Sequence, residues 1–147
     1  MPTAAKLVAG VIFAVLAFFA AQAYAAQLPA TNSPAWMREV AAVTGAVLGW
    51  STLGAKGRHQ SFGKAAGAGL RTSLFIVIWA LLFLAIYLML KRSISGKYHG
   101  LVEALLSVFD IFYAQGRVLV QPDVLLILLA GGVLGGLATE WAARRFT

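Results

Sequence analysis

The chain has 147 residues, 61% of them hydrophobic and 12% charged, with a mean hydropathy of +0.83. A soluble domain of this length carries roughly 45–50% apolar residues and lacks the interior to hide more, so the excess belongs in lipid; the absence of cysteine excludes disulfides, thiolate metal sites and thiol redox chemistry. The net charge of +7 argues for no nucleic-acid partner, because the cations flank apolar runs, where Lys and Arg anchor helix ends and set topology.

The first apolar run, 7–26, is free of charge and matches the roughly 30 Å hydrocarbon core at 1.5 Å per residue. Lys6 before it and the small residues around Ala23 and Ala25 also fit a cleavable signal peptide, and retention is the reading adopted. A short outer loop containing Pro29 leads to Pro34, expected to open a second span over 34–53 with Ser33 as its N-cap. Trp36 and Trp50 stand near the ends of that span as interfacial aromatics, and Arg38 and Glu39 are close enough to one end to snorkel. A basic, Gly-rich loop over 54–69 precedes the clearest span, 70–90, bracketed by Arg71 on one side and Lys91 and Arg92 on the other.

In 101–120, Glu103, Ser107, Asp110, Ala114, Arg117 and Gln121 recur at steps of four and three and fall on one helical face. The remainder is apolar, so this segment reads as an amphipathic helix at the interface or against the bundle, with a further span as the alternative. The last span, 122–141, opens on Pro122 with Asp123 in its first turn and closes at Glu140, Trp141, Arg144 and Arg145. The fold class is therefore an all-α integral membrane protein: four transmembrane helices in one domain, plus an amphipathic helix between the third and fourth. A cytoplasmic N-terminus puts Lys6, Lys56, Arg58, Lys64, Arg71, Arg144 and Arg145 inside and leaves Arg38, Lys91, Arg92, Lys97 and Arg117 outside, which satisfies the positive-inside rule with both termini cytoplasmic.

The glycine pairs Gly45/Gly49 and Gly131/Gly135 with Gly132/Gly136 are G-x-x-x-G patterns, where missing side chains let another helix backbone come close. Packing within the chain is the reading preferred to a homodimer seam. Residues 57–64 fail as a phosphate loop, since five residues separate the glycines and Ala65 follows Lys64. Lys56, Arg58, Lys64 and Arg71 remain as cations able to meet an oxyanion or a lipid headgroup. His59 and His99 lie in separate loops without further ligands, so no metal site is expected. Asp123 reads as a helix N-terminal partner and Glu140 as the i,i+4 partner of Arg144. Nothing resembles a catalytic constellation or a cofactor loop, so neither enzyme activity nor a cofactor is expected.

Several segments together carry a family likeness: MPTAAKLVA at 1–9, GLRT at 69–72, GLVEAL at 100–105, PDVL at 122–125 and EWAARR at 140–145, with Tyr98 and Gly116. In order and spacing they resemble the TrgA family, small bacterial membrane proteins associated with tellurite resistance. The likeness runs along the whole chain, and 23–28 departs from it. It implies a bacterial inner-membrane location and a tie to oxyanion resistance, and it brings no catalytic residues. Without cysteine or a soluble cofactor domain, thiol reduction or methylation of tellurite by this chain is not expected. The reading that follows is an accessory protein supporting oxyanion resistance or envelope homeostasis, acting through membrane partners. The alternatives are an oxyanion transporter formed as a homo-oligomer and a small structural subunit of a larger respiratory or photosynthetic complex.

Overall fold

The computed structural model describes residues 4–31, 33–53 and 61–145. Five helices follow one another: α1 (Ala4–Ala26), α2 (Met37–Thr52), α3 (Phe62–Ile94), α4 (Leu101–Leu119) and α5 (Pro122–Arg145). Among the described residues there is no strand. The all-helical membrane character expected from composition is what the chain displays.

α1 runs through Ala, Leu, Val and Phe and stops at Ala26, three residues ahead of Pro29, which disfavours helical backbone at the residue before it. α2 begins later than expected. Ser33 and Pro34 are not helical; the N–H of Met37 closes a turn on the Pro34 carbonyl at 3.1 Å, and Trp36 is the N-cap. The first-turn role assigned to Pro34 is thus corrected, because the chain uses it to enter a turn. α3 differs in the opposite sense, starting at Phe62 rather than at residue 70, so the Gly-rich stretch after Ser61 is helix and not loop. Glycine in a helix costs about 1 kcal/mol relative to alanine. Here Ala65 and Gly69 face α5 at backbone contact distance, and that tertiary packing overrides propensity.

Gly96, at φ +72°, turns the chain out of α3 in the left-handed region open to glycine. α4 then runs to Leu119. The break before α5 is short: Val120 caps α4, Pro122 has no N–H to give and opens α5, and the Leu125 N–H donates to the Gln121 carbonyl at 3.1 Å.

Small residues organise the packing. A Cβ on Gly49 would sit 2.7 Å from the Ala9 carbonyl oxygen, and one on Gly45 would strike the Phe13 carbonyl, so α2 lies backbone to backbone on α1. α5 is wedged between α1 and α3 and uses two glycine registers for two neighbours. Gly131 and Gly135 face Leu16 and Phe13 of α1, whereas Gly132 and Gly136 face Ser73, Gly69 and Ala65 of α3. Phe13, fully buried, fills the seam with Leu16, Ile76, Leu84 and Leu128.

The same neighbours define two ends of the bundle. At one end Ala5, Leu53, Ala65 and Glu140 surround a small pocket, and the Arg144 guanidinium lies 4.4 Å over the Phe62 ring while its Nε meets Glu140 Oε1 at 2.9 Å. At the other, Trp36 packs edge-on against Tyr87 at 4.9 Å and the Lys91 ammonium donates to the Thr31 carbonyl at 2.8 Å.

Three of these helices, α1, α3 and α5, are long and apolar enough to cross a membrane. α2, at 16 residues, spans about 24 Å and falls short of the roughly 30 Å core. By length and composition the described residues hold three spans where the sequence suggested four.

Candidate functional site

The glycine seams are filled from within the chain, which leaves α4 as the helix with the most unpartnered surface. Its residues divide into three sectors. Ala104, Val108, Ile111 and Gln115 turn inward. Val102, Leu105, Leu106, Phe109 and Tyr113 turn outward, Phe109 with 74% of its surface exposed. Glu103, Asp110, Ala114 and Arg117 form an exposed stripe beside them, with Ser107 half-buried. Helical steps of three and four produce the stripe, as read from the sequence. The apolar remainder, expected at the interface or against the bundle, is split between the bundle and the outside.

Local bonds hold the stripe's ends. The Glu103 carboxylate accepts from the His99 N–H at 3.0 Å, in the manner of a carboxylate capping a helix start, and the Arg117 guanidinium lies 5.9 Å over the Tyr113 ring. The Ser107 hydroxyl donates back to the Ala104 carbonyl. Asp110 has neither; it is exposed, and on the helical wheel it stands between Glu103 and Arg117, with Leu106 and Tyr113 together on one side.

α4 is fastened to the bundle by a buried polar junction that periodicity overlooked. The Tyr24 hydroxyl donates to Gln115 Oε1 at 2.9 Å and lies 3.1 Å from the Gln115 carbonyl oxygen. Both residues are buried, Tyr24 at 5% and Gln115 at 7% exposure. The available signal was Gln115 itself, a lone amide on the apolar side of α4, away from the polar stripe. Such a group is costly inside a membrane unless paired.

Of the four cations singled out for oxyanions or headgroups, two fall among the described residues. Lys56 and Arg58, with His59, lie outside the described residues. Lys64 and Arg71 are two turns apart on one exposed face of α3, and Arg71 lies over Phe75 at 5.4 Å. Elsewhere arginines also lie on rings: Arg38 over Phe18 and Arg145 over Trp141. A cation on an aromatic face beside an apolar span is an interfacial anchor. Glu140 and Arg144 form the i,i+4 pair expected of them, with the Glu140 side chain 10% exposed and that of Arg144 40%.

An all-helical bundle with three apolar helices of spanning length defines a membrane protein, associated with the lipid bilayer. No protein-family model, curated protein or solved structure matches the chain.

Proposed function

We propose that the protein is an accessory bacterial inner-membrane protein without chemistry of its own, supporting oxyanion resistance, of tellurite in particular, by holding a membrane-protein partner on the outward face of α4. The observation that carries the docking role is the composition of that face. Helices that lie on lipid surfaces carry Lys and Arg on their polar side, where anionic headgroups attract them. The α4 stripe instead sets Glu103 and Asp110 against a single Arg117, flush with an exposed apolar row. That pattern suits a protein surface with apolar pockets and basic side chains. The tellurite connection rests on the sequence likeness to the TrgA family.

In this reading α2 accompanies α1 through the bilayer as a short fourth span. Its support is the backbone contact of Gly45 and Gly49 with α1, the exposure of Val43 and Val47, and Trp36 and Trp50 near its ends. α4 lies at the outer interface. Both termini are cytoplasmic in this reading, because the sequence puts Lys6, Lys56, Arg58, Lys64, Arg71, Arg144 and Arg145 on that side against five cations on the other.

The test is affinity purification from native membranes in mild detergent, with mass spectrometry, for the wild type and Phe109→Asp. A stoichiometric membrane protein present with the wild type and lost with the variant is expected. Recovery of the same proteins with both refutes docking on α4. Tellurite flux into proteoliposomes holding the purified protein alone would make it a transporter instead.

A further inference from the structure

Beyond the docking role, the interior of the bundle holds an apolar cavity of about 50 Å³ where all five helices meet. Its walls include Ala17, Ala20 and Ala21 of α1, Met37 of α2, Ala80 of α3 and Leu119 of α4. The alanines leave the space: their side chains end before reaching the opposite wall. The one side-chain oxygen or nitrogen on the lining residues is the Tyr24 hydroxyl, and Gln115 engages it. A buried water needs two to four polar partners, and this cavity does not offer them.

The cavity has a mouth. On α3, Val77 and Ala80 stand among the buried Ile76, Leu81 and Leu84, in the middle of the sector that faces the bundle, yet both are partly exposed. Leu119 is partly exposed as well. It is the last residue of α4, and the opposite wall begins with Val124 in the first turn of α5, so the opening lies where those two helices part. The depth is that of hydrocarbon, Ala80 standing about two turns inside Tyr87 of the Trp36–Tyr87 contact and about three inside the Lys91 anchor. A dry void lined by methyl groups, open at that depth, forfeits dispersion contacts along its walls, and hydrocarbon of matching width restores them.

We propose that this cavity takes the end of one acyl chain of a bilayer lipid, entering between Ala80 and Leu119. The chain serves as a removable part of the core, and its headgroup stays outside the protein.

Reconstitution into vesicles containing a phosphatidylglycerol with a diazirine near the end of one acyl chain tests this, with crosslinks mapped by peptide mass spectrometry. Met37 and Tyr24 line the cavity and are otherwise nearly closed off, 8% and 5% exposed. Labelling of both is expected in the wild type, alongside outward residues such as Leu74 and Leu126. Ala80→Leu and, from the opposite wall, Ala20→Leu should lower the inner labelling at least fivefold and leave the outer labelling unchanged. Wild-type labelling confined to outward residues overturns the proposal, as does equal inner labelling in a folded cavity-filling variant. Displacement of the inner label by an equimolar isoprenoid, with outer labelling unaffected, overturns the assignment to an acyl chain.

Discussion

Gly67 and Gly69 stand two residues apart in α3, and substituting each by alanine should change stability in opposite directions. At Gly67 a Cβ meets nothing within 4 Å. Alanine there gains only its helical preference, about 0.8–1.0 kcal/mol in an exposed helix interior. At Gly69 the same atom would lie 2.9 Å from Gly136 Cα and collide with the Gly132 carbonyl oxygen. These are backbone atoms and cannot rotate away. Contact becomes ordinary at 3.4 Å, so α3 and α5 must separate by at least 0.5 Å along that line. Overpacking of this kind costs roughly 1–3 kcal/mol, and the helical gain offsets only part of it. The net expectation is stabilisation by about 1 kcal/mol for Gly67→Ala and a loss of up to about 2 kcal/mol for Gly69→Ala. Equilibrium unfolding of the purified protein in mixed micelles, followed by circular dichroism, measures both. If Gly69→Ala is as stable as Gly67→Ala, the backbone contact between α3 and α5 is not where it is described.

Tyr24→Phe removes the bond to Gln115 and should cost about 1 kcal/mol, within the range of interhelical hydrogen bonds in membranes; faster hydrogen exchange across 101–119 with α1 and α2 unchanged is the expected signature. Arg144→Ala strands the mostly buried Glu140 carboxylate and should destabilise more than Glu140→Gln. Because Arg144 is 40% exposed, the loss should be about 1 kcal/mol, well short of a fully buried pair. Thermal melts of the two variants and their combination, with the double variant recovering part of the loss, are the check. Deleting residues 1–26 uncovers Gly45, Gly49, Gly131 and Gly135 together, and the remaining chain should fail to give a monodisperse peak in size-exclusion chromatography; a well-folded product would show that α1 is dispensable.

Where one feature decides the outcome locally, the sequence reading and the structure agree. Pro122 opens α5 because a residue without an N–H suits a first turn, and Glu140 meets Arg144 because i,i+4 spacing brings them together. The stripe of Glu103, Asp110 and Arg117 follows from periodicity alone. The misses concern contacts between distant segments. A run of glycine and alanine at 62–69 reads as loop until α5 is set against it. Pro34 fits a helix start equally with a turn, and Gln115 gains its meaning only beside Tyr24, 91 positions away. Nothing in the intervals between glycines says which neighbour each will touch, so the division of Gly131 and Gly135 from Gly132 and Gly136 could be seen only in three dimensions.

That division has a consequence for biogenesis. α1 and α2 are consecutive and can pair as soon as both have left the ribosome, but α3 has its small-residue face, Ala65 and Gly69, matched to a helix not yet made. Until α5 arrives, the emerging chain is a closed hairpin beside a helix with an open flank. α5, translated after the other four helices, is therefore the one that joins the earlier two, and its four glycines, committed in two directions, fix its rotation as it enters. A nascent chain in which α5 is not yet made presents quality-control proteases with that open flank, whereas a substitution on the outward face of α4 leaves assembly intact and alters only what the finished protein meets.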